Sequence, residues 1–134
     1  MNSRKAIAAG ALWMALAVAL GAFGAHGLKE QLLAVEGGSG LDNWHTAVRY
    51  QAWHALALVL LGVVTSRAGC TDRGGLIGWA FLVGSLLFSG SIYALSLEPS
   101  ATWLGPITPL GGLLLILGWL GFAKLALSLP EETA

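Results

Sequence analysis

The stretch "NWHTAVRYQAWHALAL" (43–58) gathers two histidines, an arginine, a tyrosine and a glutamine at the mouth of an apolar run. An imidazole can bind a metal or carry a proton near neutral pH, and a guanidinium can clamp a carboxylate or phosphate. Spacing decides which of these chemistries is open. Each helical residue turns about 100°, so side chains four apart share a face. His45 and Arg49 form such a pair, and so do Tyr50 and His54, with Gln51 beside them. His45 and His54 are nine apart, which turns them to opposite faces, so a straight helix cannot bring both to one ion. His26 is the remaining histidine, and the apolar runs contain no Cys, Asp or Glu to complete a zinc site around a pair. No metal and no cofactor is therefore expected. No serine has a histidine and an acid spaced to assemble a triad, and no phosphate-binding loop occurs, so no catalytic residue and no enzyme is expected. What remains is a candidate polar cluster at the outer leaflet: His26, Arg49, Tyr50, Gln51 and His54.

The elements that must position these residues are set by composition. Of 134 residues, 56% are hydrophobic and 10% charged, with a mean hydropathy of +0.74. A soluble domain carries about 25% charge, so most of this surface faces lipid. Zero net charge gives nucleic acid nothing to bind. The single cysteine, Cys70, rules out an intrachain disulfide. One membrane domain, 1–134, is expected, with spans at about 6–25, 47–66, 74–97 and 109–127. Each is long enough to cross a hydrocarbon core of ~30 Å. Backbone groups in lipid must bond within their own segment, so the spans are helices. The fold class is an all-α integral membrane protein, a bundle of four transmembrane helices. The first apolar run also resembles a signal peptide, with "AFG" (22–24) as a cleavage site. It exceeds the usual ~7–15 residues of a signal core, so it is expected to stay as a span.

Basic residues set the orientation. Arg4, Lys5, Arg67, Arg73 and Lys124 lie on one side, Lys29 and Arg49 on the other, which predicts both termini in the cytoplasm. The first outer loop carries a short amphipathic segment: Leu28, Leu32, Leu33 and Val35 are expected on the membrane surface, Lys29, Glu30 and Glu36 in water. Asp42 or Asn43 is the expected cap of the second span. Thr108 should cap the fourth, with Pro109 in its first position and Pro130 past its end. Trp44, Tyr50, Trp53, Tyr93 and Trp103 should gather at the outer boundary, Trp79 and Trp119 toward the inner one. Small residues at four-residue steps, among them Gly21, Gly78, Gly90 and Ala94, are the expected packing positions. His54 lies ~20 Å from Arg67 along the helix, hence ~10 Å below the outer boundary. A charged imidazole is costly there. His54 should therefore be neutral and bonded within the bundle, to Tyr50, Gln51 or a serine of the third span, while Arg49 snorkels to the headgroups.

The blocks "LGAFGAHGL" (20–28), "AVRYQAWHALAL" (47–58), "LFSGSIYAL" (87–95) and "GPITPLGGLLLILGWL" (105–120) run through all four spans in order. Together they resemble a family of small bacterial membrane proteins, domain of unknown function 423, related to the eukaryotic transmembrane protein 256 group. The resemblance implies a four-helix protein of the bacterial inner membrane and implies no reaction. The loops "KEQLLAVEGGSG" and "SRAGCTDRGG" carry none of these blocks. Three function classes follow. The first is a non-enzymatic bundle that supports or binds a membrane partner or a second copy of itself. The second is a binder of a lipid, quinone or small amphipathic molecule at the outer leaflet. The third is a small transporter, which usually keeps an acid within a span, and none occurs here.

Overall fold

The structure, a computed structural model, describes residues 1–35 and 37–129. Glu36, expected in water, and Pro130, the expected stop signal, lie outside the described residues. Among the described residues five α-helices follow one another: α1 (Ser3–Ala25), α2 (Lys29–Leu33), α3 (Gly40–Arg67), α4 (Gly75–Leu97) and α5 (Ile107–Leu127). A 3-10 turn, Thr102–Leu104, precedes α5. The described residues contain no strand. α1, α3, α4 and α5 are long and apolar enough to cross a membrane.

The long helices stand in a row. α1 packs on α3, α3 on α4, and α4 on α5. Burial follows from that order: 44% of the most apolar window of α3 is buried, against 17% for α1. The row is legible in the spacing of the buried residues. Along α3 they include Gly40, Trp44, Ala47, Gln51, His54, Leu58, Leu61 and Thr65, alternating steps of four and three. α5 repeats the rhythm with Gly111, Leu115, Gly118, Phe122 and Leu125. This is the seven-residue seam of helices that coil gently around one another. On α1 the seam is all small: Ser3, Gly10, Ala17 and Gly24, seven apart. A Cβ added at Gly10 would lie 2.6 Å from the Ala55 carbonyl, and one at Gly62 would lie 2.7 Å from that of Ser3. Glycine at these points lets α1 and α3 backbones approach, the usual driver of association in lipid.

The packing positions therefore differ from those expected. Gly21 is only in ordinary contact with Val48 at 3.4 Å, Gly90 meets nothing within 4 Å, and Ala94 is half-buried. Gly78 does lie in a seam, against Met1 and Leu61. Close approach of α4 and α5 rests instead on Gly84 and Gly111, where a Cβ at either would meet the other's carbonyl at 3.1 and 2.9 Å. Steps of four, read along one helix, miss a partner that tracks every seventh residue.

Two helix starts also differ. α3 begins at Gly40, before Asp42 and Asn43, and no side chain caps it. Its first turns are fixed by packing: Trp44 is buried against Gly24 of α1, and Gly40 lies against the Leu32 carbonyl. α5 begins at Ile107, so Pro109 is its third residue, where the missing N–H costs no helical bond. Thr108 does not cap; its hydroxyl bonds Ser91 of α4 at 2.7 Å. Within α2, Lys29, Glu30 and Leu33 are exposed, but Leu32 is fully buried, so the segment plugs the end of the row. At the opposite end the Ser3 hydroxyl meets that of Thr65 at 2.8 Å and the Ser3 N–H bonds the Thr71 carbonyl, tying the chain's start to the α3–α4 turn.

Candidate functional site

The five residues of the expected cluster fall into separate places. Gln51 and His54 are neighbours on the α3 seam, three apart, yet they face different helices. Gln51, 1% exposed, donates from Nε2 to the Trp13 carbonyl of α1 at 3.1 Å and accepts at Oε1 from the Tyr93 hydroxyl of α4 at 2.9 Å. The Trp13 indole in turn donates to Ser85 Oγ at 2.9 Å. One amide thus ties three helices together. Ser85, Ser89 and Tyr93 follow at four-residue steps on α4. Ser89 Oγ is the one buried side-chain oxygen or nitrogen without a hydrogen-bond partner among the described residues.

His54 faces α5. Its Nε2 accepts from the Trp119 indole N–H at 3.2 Å, and its Nδ1 lies 2.7 Å from the Tyr50 carbonyl. An indole N–H only donates and a carbonyl only accepts. The network therefore fixes a neutral imidazole with its proton on Nδ1. Phe81 and Trp119 surround the ring, with centroids 5.9 and 6.2 Å away. The expectation of a bonded His54 thus holds for Tyr50, through its carbonyl, while the second partner is Trp119 and not Gln51 or a serine. Trp119 stands level with His54, which lies midway along α3. Trp44, expected at the outer boundary, is buried and donates to the Leu20 carbonyl at 2.9 Å.

His26 and Arg49 stand apart from both networks. His26 is exposed just past α1. Gly24 packs on Trp44, which sets His26 level with the first turns of α3. His54 is ten residues farther along, a rise of ~15 Å, so the two histidines do not meet. Arg49 is exposed, and its guanidinium donates to the Thr46 hydroxyl at 3.5 Å. Among the described residues no group of three or more His, Cys, Asp or Glu is placed to hold a metal.

Beside His54 the row leaves an opening. α3 and α5 both pack on α4 with a lateral groove of about 370 Å³ between them. Tyr50, Trp53, His54, Phe88, Gly112 and Trp119 line it. Leu115 and Ile116 add apolar surface. Tyr50 packs at a tilt against Phe88 and Trp53, with ring centroids 4.6 and 5.2 Å apart. Trp53, Ile116 and Trp119 are 53, 58 and 45% exposed, so the groove opens sideways. Tyr50 and His54 thus keep a place in a shared site, joined by the glycine-rich start of α5, while Gln51, His26 and Arg49 do not. Trp119 and Phe88 are the residues that sequence reasoning missed. The signal for Trp119 was the need of a buried imidazole for a donor from another helix.

Known proteins bear on this arrangement. The family described as "Protein of unknown function (DUF423)" matches residues 20–112. The chain is 41% identical over 111 residues to the UPF0382 membrane protein SH2409 of Staphylococcus haemolyticus, covering 83% of this chain and 85% of the relative. It is 40% identical to the UPF0382 membrane protein YwdK of Bacillus subtilis, covering 83% and 86%. A yeast relative, the UPF0382 membrane protein C1782.12c of Schizosaccharomyces pombe, is 38% identical over 108 residues, 78% and 86% of the two chains. No solved structure matches. With four apolar helices and relatives that share most of its length, the chain is a multi-pass membrane protein and belongs to the DUF423 family of UPF0382 membrane proteins.

Proposed function

We propose that the protein is a non-enzymatic binding protein whose lateral groove between α3 and α5 holds the flat part of a lipid-soluble molecule. The groove itself carries this reading: about 370 Å³, with aromatic walls and a side opening. Small-molecule sites commonly measure ~300–1,000 Å³. Tyr50, Trp53, Phe88 and Trp119 offer flat faces that favour offset stacking on a planar ring. Among lipids, quinones and small amphipathic molecules, a quinone-type head group suits those walls best. Both ring nitrogens of His54 are already bonded and, among the described residues, no acid lines the groove, so binding is proposed without catalysis. The surrounding partner is the lipid bilayer; nucleic acid has no part. The five-to-two count of basic residues supports a place in the bacterial inner membrane with both termini cytoplasmic. A second reading, support of a membrane-protein partner or of a second copy, draws on the ends of the row: α1 buries only 17% and α5 22% of their most apolar windows.

Gly112 allows a test. A Cβ there would sit 3.5 Å from the Phe88 ring, an ordinary contact, so a larger side chain fills the groove without forcing helices apart. A short-chain benzoquinone is titrated into the purified chain in detergent and tryptophan fluorescence is read. Saturable quenching of the native protein, lost in Gly112→Leu at unchanged unfolding temperature, is expected. Quenching that is equal in both proteins, or that never saturates, overturns the reading.

A further inference from the structure

A second groove, of about 350 Å³, lies at the far end of the row, where α4 starts and α5 finishes. Arg73, Ile77, Gly121, Lys124, Leu125 and Ser128 line it. Arg73 lies two residues before α4, and Lys124 three residues before the last residue of α5. Each is therefore within ~5 Å of its helix end, the depth of a headgroup phosphate. Both side chains are exposed, and among the described residues none that lines the groove is acidic. The Ser128 hydroxyl is occupied with the Leu125 carbonyl at 2.7 Å, which leaves the two cations as the donors. Beneath them the groove is apolar. Gly121 keeps it open: a Cβ there would already press on Ile77 at 3.2 Å. Cations from two helices over an apolar slot match one amphiphile, with a phosphate at the mouth and an acyl chain along Ile77 and Leu125.

We propose that this groove is a binding site for an anionic phospholipid, its phosphate held between Arg73 and Lys124. A phosphate beside two cations gains from both. A zwitterionic headgroup brings its own ammonium into the same field and gains less. Free phosphate carries the charge but leaves the apolar slot empty. The site is separate from the aromatic groove and does not depend on its occupant.

The test uses the full chain in mild detergent and counts bound lipid by native mass spectrometry. Phosphatidylglycerol and phosphatidylcholine with identical acyl chains are compared, with inorganic phosphate as a competitor. Phosphatidylglycerol should bind one site about thirtyfold more tightly than phosphatidylcholine, the gain expected of two cations at a headgroup. The double variant Arg73→Gln with Lys124→Gln should bind the two lipids alike, with unfolding temperature confirming that it is folded. Arg4→Gln with Lys5→Gln, which removes basic residues at the same end outside the groove, should keep the native preference. Gly121→Leu should block the lipid with both cations in place. The proposal is overturned if the native protein shows no preference, if the groove variant keeps it, or if the Arg4 and Lys5 variant loses it equally. Displacement of the lipid by stoichiometric phosphate would also overturn it, in favour of a plain anion site.

Discussion

Replacing one glycine by alanine should have opposite effects at two places. At Gly111 an added Cβ would meet three α4 backbone atoms: Phe88 N, Gly84 O at 2.9 Å and Phe88 Cα at 2.9 Å. Ordinary carbon contacts begin near ~3.5 Å. None of the three can rotate aside, so relief requires α5 to retreat by at least ~0.5 Å. A gap of ~0.5–1 Å forfeits a quarter to a half of each contact along a seam. Overpacking of this kind costs ~1–3 kcal/mol, against ~0.5–1 kcal/mol gained by stiffening a helical glycine. Gly111→Ala should therefore lose ~1.3 kcal/mol, the difference between the midpoints of those two ranges. At Gly90 a Cβ meets nothing within 4 Å. Gly90→Ala should keep only the gain, ~0.5–1 kcal/mol. Reversible unfolding in mixed micelles measures both. If the two variants are equally stable, α4 and α5 do not touch at Gly111, and the row is wrong at its outer end.

Three further outcomes follow from the polar contacts. Gln51→Leu and Tyr93→Phe should couple by ~0.6 to 1.7 kcal/mol in a double-mutant cycle, the range of side-chain bonds in membranes; additive effects would mean that the 2.9 Å bond contributes nothing. His54→Leu leaves the Trp119 indole N–H without its acceptor and should lose ~1–3 kcal/mol. His54→Gln should lose clearly less, because its amide oxygen can accept, and equal losses would refute the assigned bond. Cysteines placed at Ser39 and Ser128 in a Cys70→Ser background are both exposed. A membrane-impermeant maleimide on intact cells should label the first alone, and labelling of the second alone would reverse the proposed orientation.

Most of the fold was legible because lipid leaves the backbone one choice. Apolar runs of spanning length without internal partners must be helices. Neighbours were harder to read. Gly90 and Ala94 make a small-residue pair on one helix, yet nothing in a single helix says whether the facing surface is protein or lipid, since both are apolar. The stepping of α3 is more informative than its four-residue pairs alone. Gln51 and His54 occupy consecutive seam positions between Ala47 and Leu58. Read as a seven-residue frame, that places both polar groups inside the protein and separates them from Arg49. Their partners were not legible: Trp13, Tyr93 and Trp119 reach them only after α1, α4 and α5 have packed. The aromatic groove was hidden for the same reason, because it exists only where α3 and α5 both lean on α4.

The same packing explains why polar groups stand in a seam that small residues could close alone. Ser3, Gly10, Ala17 and Gly24 repeat every seven residues along α1. Sliding α1 by one repeat, ~10 Å, would set small residues on α3 again over most of the seam. Smooth packing thus leaves the register of α1 and α3 weakly specified. Polar contacts of two kinds bear on it. Gln51 reaches the Trp13 carbonyl and Trp44 reaches the Leu20 carbonyl, so the donors on α3 and the acceptors on α1 are each seven apart in antiparallel order. Every α1 residue offers a backbone carbonyl, so a one-repeat slip could re-form both bonds, on Ala6 and Trp13, and they fix the rotation of α1 rather than its height. The height is set by bonds between side chains, because a slip would carry the Trp13 indole away from Ser85 on α4 and the Ser3 hydroxyl away from Thr65. The glycines let the helices approach, and the buried polar groups decide at which height, the role that single polar residues play in coiled coils. The register of α1 on α3 thereby becomes common to α4, because Gln51 binds Tyr93 with the same amide that holds Trp13.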